Sequence, residues 1–315
     1  MIKSFLLMIG AFVILTKGAD WFVDSSVIIA EMTGIPKAII GATIVAIGTT
    51  FPEFVVSFTA AINNESQISL GNIIGSVLCN IGLCLAIAAI IRPIKINKEL
   101  YIKQSGFMII AGVTFAIFAY LPGAVMPVYA FIFLGEALLY MALSVKGVKD
   151  GNNNKVERVW NRGSFFKEVN IFLLSLFMVI IGARLLISSG VAIAHILGVP
   201  KIIIALTLIA IGTSLPELIT GIASALKKQD EIAIGNVVGA NILDITWALG
   251  ASSLVKKMPI PPQILYLDLP LMLLLMSLVL VFSGIIGRFK RREGIILLLI
   301  YIVYIGLLIR QGRIA

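Results

Sequence analysis

Two glutamates, Glu53 and Glu217, lie inside apolar runs and close nearly identical motifs, G-T-T-F-P-E at 48–53 and G-T-S-L-P-E at 212–217. An ionisable group in a membrane-spanning segment is costly and indicates a functional site. The proline deletes a helical hydrogen bond and frees the carbonyl four residues earlier. Free carbonyls are tolerated at membrane depth only where they line a cavity or are buried in protein. Two interrupted segments, each with one acid, therefore predict the ion site of a transporter.

More oxygen donors fall on the same helix faces. Ser76 and Asn80 are four residues apart in a third apolar segment, and the matching positions of a later segment are Ala240 and Asp244. Helical spacing also places Thr49 and Thr50 with Glu53, and Thr213 and Ser214 with Glu217. We expect a pocket of three carboxylates, an amide and several hydroxyls. These hard ligands suit Ca²⁺, Na⁺ or Mg²⁺ rather than a thiophilic metal.

The composition indicates the setting of this pocket. The chain has 315 residues, of which 59% are hydrophobic and 13% charged, whereas soluble domains have about 25% charged residues. The apolar stretches are continuous and approach the roughly 20 residues that a spanning helix needs, so helices are favoured over a barrel. The sequence thus predicts an all-α polytopic membrane protein in contact with the lipid bilayer. The net charge of +9 does not indicate nucleic-acid binding, because the basic residues cluster in short loops.

The apolar pattern predicts about ten transmembrane helices in three parts. Residues 1–145 form a first five-helix repeat, 146–168 a cytoplasmic linker, and 169–315 a second five-helix repeat. Helices 2, 3, 7 and 8 are predicted to be broken and to form the ion site. The predicted helices are 5–31, 37–62, 68–91, 104–120, 125–145, 169–195, 201–226, 232–254, 263–286 and 294–309.

The two repeats keep a constant displacement. Glu217, Pro216 and Gly235 each follow their counterpart in the first half by 164 positions. Such self-similarity is a fold-level signal. Because five is an odd number of crossings, the second half must be inverted relative to the first, as in many secondary transporters. The repeated Gly-x-x-x-Gly pairs at 71–75 and 235–239 are expected to be packing faces.

Loop charges predict the orientation. Seventeen Lys and Arg residues fall on the face that carries the linker and six on the other face. The positive-inside rule therefore places the linker in the cytoplasm and both termini outside the cell membrane.

At this point the chain resembles the sodium/calcium exchanger family, and most closely its short prokaryotic members. The Gly-Thr-[Thr/Ser]-x-Pro-Glu and Gly-Asn-x-x-Gly-[Ser/Ala] blocks occur in both halves, and the resemblance covers nearly the whole chain. It implies Na⁺/Ca²⁺ antiport by alternating access, with helices 1 and 6 sliding over a static core and Gly18, Gly34, Gly182 and Gly198 placed as hinges. By position it implies that Ca²⁺ and Na⁺ bind to Glu53, Glu217, Asp244, Asn80, Ser76, Thr49, Thr50, Thr213 and Ser214, and to the carbonyls of Ala46 and Ala210.

Two positions depart from the family pattern. Ala240 stands where archaeal exchangers usually have a serine, which removes one hydroxyl from a sodium site. Thr50 replaces the usual serine, which keeps the oxygen and adds a methyl group. One sodium site is therefore expected to be weakened.

Other functions remain open from the sequence. A proton/Ca²⁺ antiporter could use the same fold with carboxylates that protonate. An intramembrane enzyme is disfavoured because the single histidine, His195, has no serine partner in a recognisable pattern, and a channel is disfavoured by the symmetric broken helices. No phosphate-binding loop indicates ATP. The expectations are transport of Ca²⁺ and Na⁺ without a cofactor, no disulfide between Cys79 and Cys84, and an oligomeric state that is left open, a monomer included.

Overall fold

The computed structural model describes residues 2–95, 98–121, 123–150, 162–196, 210–282 and 288–312, and these are almost entirely helical. The first half contains five helices, which we number α1 to α5. They are α1 (Ile2–Thr33), α2 (Lys37–Ile62), α3 (Ser66–Ile91), α4 (Lys98–Tyr120) and α5 (Ala130–Asp150).

The second half repeats this order. It contains α6 (Arg162–Ile196), α7 in two pieces (Ala210–Thr213 and Leu215–Leu226), α8 (Asp230–Val255), α9 (Ile264–Val281) and α10 (Arg291–Gly312). The first part of the predicted seventh helix, 201–209, lies outside the described residues. Helix α5 continues to Asp150 and α6 begins at Arg162, so both extend into the segment predicted as linker, whose charged ends hydropathy alone does not mark as helical.

Nine of the described helices are long and apolar enough to cross a membrane. Large apolar side chains on the outer helices face outward, for example Leu138 at 72% and Phe131 at 70% exposure, whereas the polar residues of the motifs are buried. A soluble protein shows the opposite distribution. The chain is therefore a multi-pass membrane protein.

The motif helices form the centre of the bundle. Each helix has a most apolar stretch of 18 residues, and the buried share of that stretch is 94% in α8 but only 22% in α6. Helices α1 and α6 pack against each other outside this centre. A Cβ on Gly18 would lie 2.9 Å from Met178 Cβ, and one on the equivalent Gly182 would lie 2.8 Å from the Leu15 nitrogen.

These two glycines therefore permit close approach of α1 and α6 within continuous helices, rather than forming bends. Gly34 differs, since it follows α1 with a φ of 69°, a conformation that favours glycine. Gly198 lies outside the described residues. Among the predicted packing glycines, a Cβ on Gly235 would meet the Ala38 carbonyl at 2.7 Å, and one on Gly239 would collide with Ala42. No described atom lies within 4 Å of a Cβ added to Gly71 or Gly75.

The predicted irregularities of the motif helices take two forms. Helices α2, α3 and α8 contain π-helical turns at Gly41–Val45, Asn80–Leu85 and Asp244–Ala248, and such turns are frequent at functional sites. Helix α7 is interrupted at Ser214, and Pro216 lies in the first turn of its second piece. Pro52, in contrast, lies within a helical segment that continues to Ile62. One missing N–H does not end a helix whose neighbours keep their hydrogen bonds and packing.

Two short antiparallel strand pairs connect the halves. Strand β1 (Ile94–Lys95) pairs with β4 (Arg288–Phe289), and β2 (Ala124–Val125) pairs with β3 (Met258–Pro259). A shift of 164 residues turns the first pair into the second, so both pairs follow the internal repeat. Two paired strands must lie on the same side of the membrane, so an even number of crossings must separate β1 from β4. Helices α4 to α9 lie between them, and they make six crossings if α7 is counted as one. The strand pairs therefore fit ten crossings in two inverted halves.

Candidate cation site

The two halves are joined at the centre by equivalent hydrogen bonds. The Thr49 hydroxyl of α2 donates to Asn236 Oδ1 of α8 at 3.0 Å. The Thr213 hydroxyl of α7 donates to Asn72 Oδ1 of α3 at 3.3 Å. These residues exchange places under the 164-residue shift. Each half thus completes the polar surroundings of the other, with an asparagine at the start of α3 or α8 as the partner.

The repeat-equivalent residues Asn80 and Asp244 face each other. Each is the first residue of its π turn. Asn80 Nδ2 donates to Asp244 Oδ2 at 3.5 Å and to Asn241 Oδ1 at 3.2 Å. All three side chains are buried. The π turns thus project an amide and a carboxylate into the same space from opposite halves.

The two motif glutamates are fully buried beside these groups. Ser214 Oγ donates to Glu53 Oε1 at 3.4 Å, so α7 contacts the carboxylate of α2. The charges of Glu53, Glu217 and Asp244 are close enough to interact. Thr49 lies beside Glu217, although its hydroxyl donates to Asn236 and, at 3.4 Å, to the Ala46 carbonyl. The structure therefore brings the three predicted carboxylates into one region.

Several oxygens of this region lack a hydrogen-bond partner among the described residues although they are buried. They are Glu53 Oε2, both carboxylate oxygens of Glu217, Asp244 Oδ1, Thr50 Oγ1 and Ser76 Oγ. A buried unpaired carboxylate is strongly unfavourable, and a buried unpaired hydroxyl is also costly. Cations that bind these oxygens would remove the penalty.

The donor chemistry favours hard cations. The oxygens come from carboxylates, hydroxyls and carbonyls, which Ca²⁺ and Na⁺ accept readily. Within the described residues, no three His, Cys, Asp or Glu side chains converge closely enough to hold a metal ion by themselves. Neutral oxygens must therefore complete any coordination shell. Cys79 and Cys84 are buried and free, as predicted.

The remaining predicted site residues have different surroundings. Thr213 is half-buried, and Ala210 is the first described residue of α7, with its side chain outside the description. Ala240 is buried in a small apolar cluster with Ala46 and Leu243. At the position where a serine is expected from the family pattern, this chain therefore has an alanine that packs against apolar side chains.

Two features were not predicted from the sequence. Asn241 bonds Asn80, and its equivalent in the first half is the apolar Val77; an amide in an otherwise apolar run was the available signal. The second feature is Lys227 at the α7–α8 turn, which donates to the Asp20 carbonyl at 2.8 Å and pairs with Asp24 at 2.7 Å.

Similarity to known proteins extends over both halves of the chain. The sequence profile described as "Sodium/calcium exchanger protein" matches twice, at residues 3–146 and 167–310. The chain belongs to the sodium/calcium exchanger family. The two matches begin 164 positions apart, which is the displacement of the internal repeat.

Individual proteins align with this chain over nearly their whole length. The sodium/calcium exchanger MaX1 of Methanosarcina acetivorans is 30% identical, with 97% of this chain and 98% of MaX1 covered. An uncharacterized membrane protein of Methanocaldococcus jannaschii is 34% identical over 95% of this chain and 96% of its own length. The solved structure of the sodium-calcium exchanger NCX_Mj soaked with 2.5 mM Na⁺ and 1 mM Sr²⁺ superposes with a TM-score of 0.87 at 31% identity, covering 97% of this chain and 98% of that one.

Proposed function

We propose that this protein is a secondary antiporter that exchanges Na⁺ for Ca²⁺ by alternating access, with Ca²⁺ and Na⁺ as substrates at the site between α2, α3, α7 and α8. The substrates bind to Glu53, Glu217 and Asp244 together with the neutral oxygens around them. One Ca²⁺ or several Na⁺ supply comparable positive charge, so the same oxygens serve both ions in turn. No resident cofactor and no ATP are needed, because the Na⁺ gradient provides the energy.

The observation that carries this proposal is the group of buried oxygens that have no hydrogen-bond partner in the described part of the chain. Glu217 is the clearest member, since neither of its oxygens has such a partner there and its exposure is 0%. A structural carboxylate at this depth would be paired with Lys, Arg or several N–H groups. Here the nearby charged groups are other carboxylates. Carboxylates that repel one another in this way are suited to bind cations that enter and leave the site.

The main alternative is proton/Ca²⁺ exchange, in which the carboxylates take up protons instead of Na⁺. Proton binding requires the carboxylates alone. The site also presents the buried hydroxyls of Thr50 and Ser76 without partners among the described residues. Na⁺ coordination uses such oxygens, whereas proton exchange does not, and this favours Na⁺ as the coupling ion.

Flux in liposomes tests the coupling ion. Purified protein is reconstituted and ⁴⁵Ca²⁺ uptake is measured against an outward Na⁺, K⁺ or proton gradient. We expect the Na⁺ gradient to drive uptake and a proton ionophore to leave this uptake largely intact. Uptake that follows the pH gradient and ignores Na⁺ would establish the proton alternative.

The proposal extends to orientation and location. In the cell membrane, with both termini outside and the central linker in the cytoplasm, an inward Na⁺ gradient would extrude Ca²⁺. The loop charges support this orientation. Asn153→Cys, in a background with Cys79→Ala and Cys84→Ala, should resist an impermeant thiol reagent in intact cells and react after permeabilisation. Ready labelling in intact cells would show that the linker lies outside and that the proposed orientation is wrong.

A further inference from the structure

A chain of three buried side chains leads from α4 to the cation site. Met108 of α4 contacts Asn241 of α8, and Asn241 contacts Asn80 of α3. Asn241 Nδ2 donates to Met108 Sδ at 3.7 Å, and Asn80 Nδ2 donates to Asn241 Oδ1 at 3.2 Å. All three residues are buried. Neither Met108 nor Asn241 belongs to the predicted set of cation-binding residues.

The order of donors and acceptors in this chain is determined by chemistry. A thioether sulfur can only accept a hydrogen bond, so the amide nitrogen of Asn241 must face Met108. The oxygen of Asn241 then faces Asn80 and requires a donor there. The Asn80 nitrogen supplies it and also reaches Asp244 Oδ2 at 3.5 Å. The Asn80 oxygen is consequently directed away from Asn241, and among the described residues it accepts a weak contact from the Cys84 thiol at 3.9 Å.

The orientation of Asn80 matters because an amide has one end that attracts a cation and one end that repels it. If the amide were reversed, its NH₂ group would face the cation and its oxygen would face the Asp244 carboxylate. Both contacts would be unfavourable. A group that keeps the amide in one orientation therefore increases affinity for the cation by pre-organising a ligand.

The need for an orienting group applies to Asn80 but not to its equivalent in the second half, and the sequence differs accordingly. The equivalent of Asn80 is Asp244, and the equivalent of Asn241 is Val77. A carboxylate has two oxygens and presents an acceptor in either orientation. Asp244 thus needs no orienting amide, and the first half has none at position 77. An orienting amide is therefore present opposite Asn80, the ligand that can be reversed, and absent opposite Asp244.

We propose that Asn241, held by Met108, is a positioning residue that keeps the carboxamide oxygen of Asn80 facing the transported cation and so sets the affinity for Ca²⁺. This inference rests on the proposed function, because it assigns a role within the same site. Its effect belongs to binding, so it changes the Ca²⁺ concentration at half-maximal exchange more than the maximal rate.

The test is a double-mutant cycle between Asn241 and Asn80. Asn241→Leu removes the orienting amide at similar volume, and Asn80→Asp replaces the reversible amide by a carboxylate that needs no orientation. We expect Asn241→Leu alone to raise the half-maximal Ca²⁺ concentration by about 10-fold, the loss of one hydrogen bond to an ion ligand. In the Asn80→Asp background the same change should have less than about a twofold effect.

Met108→Leu provides a second variant in case Asn241→Leu does not fold, because Leu and Met are similar in volume. It removes only the sulfur acceptor, and we expect a rise of about two- to threefold that again disappears in the Asn80→Asp background. Equal fold-changes in both backgrounds, or a lower maximal rate at an unchanged half-maximal concentration, would overturn the proposal.

Direct ⁴⁵Ca²⁺ binding separates this inference from the proposed function. Absence of Na⁺-driven exchange in the wild-type protein would refute the proposed function. The double-mutant cycle would then be evaluated from the Ca²⁺ binding affinities alone. Protein that exchanges normally but shows an additive cycle would refute only the role of Asn241. Wild-type protein that binds no Ca²⁺ would overturn both.

Discussion

The two halves of the site begin from the same motif and end with different charge and different backbone. The first half contributes one carboxylate, Glu53, from a helix that continues past Pro52. The second half contributes two carboxylates, Glu217 and Asp244, and its motif helix is interrupted at Ser214. The site therefore combines a symmetric frame with unequal charge in its two halves. We expect the second half to hold more of the charge of a bound cation, and the following changes test this difference.

The largest effect is expected from Glu53→Gln and Glu217→Gln. Each change removes the principal charge of one half while keeping its size, and no adjacent acid can replace it. Removing one member of a buried charged set costs about 3–5 kcal/mol, so Ca²⁺ flux should fall by at least about 100-fold in each variant.

The control for these variants is Glu136→Gln. Glu136 is a partly buried acid of α5 that accepts a hydrogen bond from Thr114 of α4 at 2.7 Å and does not belong to the predicted set of cation-binding residues. We expect its flux to remain near that of the wild type. Wild-type-like transport in Glu53→Gln or Glu217→Gln, in protein that elutes as a folded species, would remove these residues from the mechanism.

A smaller loss is expected from Asp244→Asn. The amide keeps one oxygen at this position, and its equivalent in the first half, Asn80, is already an amide. Flux should therefore fall by about 10-fold, which is less than for either glutamate. A loss equal to that of Glu217→Gln in the same flux assay would show that Asp244 is an equal partner.

A moderate gain is expected when α1 is released from the core. Lys227 pairs with Asp24 of α1 at 2.7 Å, whereas the equivalent of Lys227 in the first half is the neutral Asn63. If α1 moves during transport, this ion pair restrains it, and Lys227→Gln should accelerate exchange by about two- to fivefold, as for a partly exposed pair.

Lys228→Gln is the matched control because Lys228 is the adjacent lysine and is exposed. Initial rates of Na⁺-driven ⁴⁵Ca²⁺ uptake at low and high ionic strength would make the comparison. An acceleration shared by both variants would indicate a general charge effect, and a slower Lys227→Gln would exclude the restraint.

The smallest effect is expected from Ala240→Ser. The change adds a hydroxyl to the position equivalent to Ser76, within the apolar cluster that contains Ala46. The added oxygen should strengthen Na⁺ dependence or leave it unchanged, with a change in apparent Na⁺ affinity of no more than about threefold. A marked loss of Na⁺ dependence would show that the apolar contact is itself required.

Much of the fold followed from the sequence because the repeat and the apolar runs are local signals. Helix α2 was predicted at 37–62 and is observed at Lys37–Ile62. Helix α4 was predicted to begin at 104 but begins at Lys98. Its first two turns are charged and contain a Glu99–Lys103 ion pair at 2.9 Å. Hydropathy alone marks this segment as loop, although the pair supports a helix.

Other features could not be predicted because they depend on how separate helices meet. Strands of two residues carry no periodic pattern and form only where distant loops pair. The Met108–Asn241–Asn80 chain requires the relative rotation of α3, α4 and α8. The motif predicted the chemical type of the site. That the Glu217 oxygens lack hydrogen-bond partners among the described residues can be seen only once the neighbouring helices are packed.

The central claim is that the same buried oxygens bind Ca²⁺ and Na⁺ alternately, and equilibrium competition tests it most directly. Binding of ⁴⁵Ca²⁺ to purified protein in detergent is measured at increasing Na⁺ concentration and constant ionic strength, with Glu136→Gln as control and Glu217→Gln as the site variant. We predict that Na⁺ displaces Ca²⁺ with a Hill coefficient above 1 and that Glu217→Gln loses Ca²⁺ binding. Ca²⁺ binding that is insensitive to Na⁺, or that persists in Glu217→Gln, would contradict the claim.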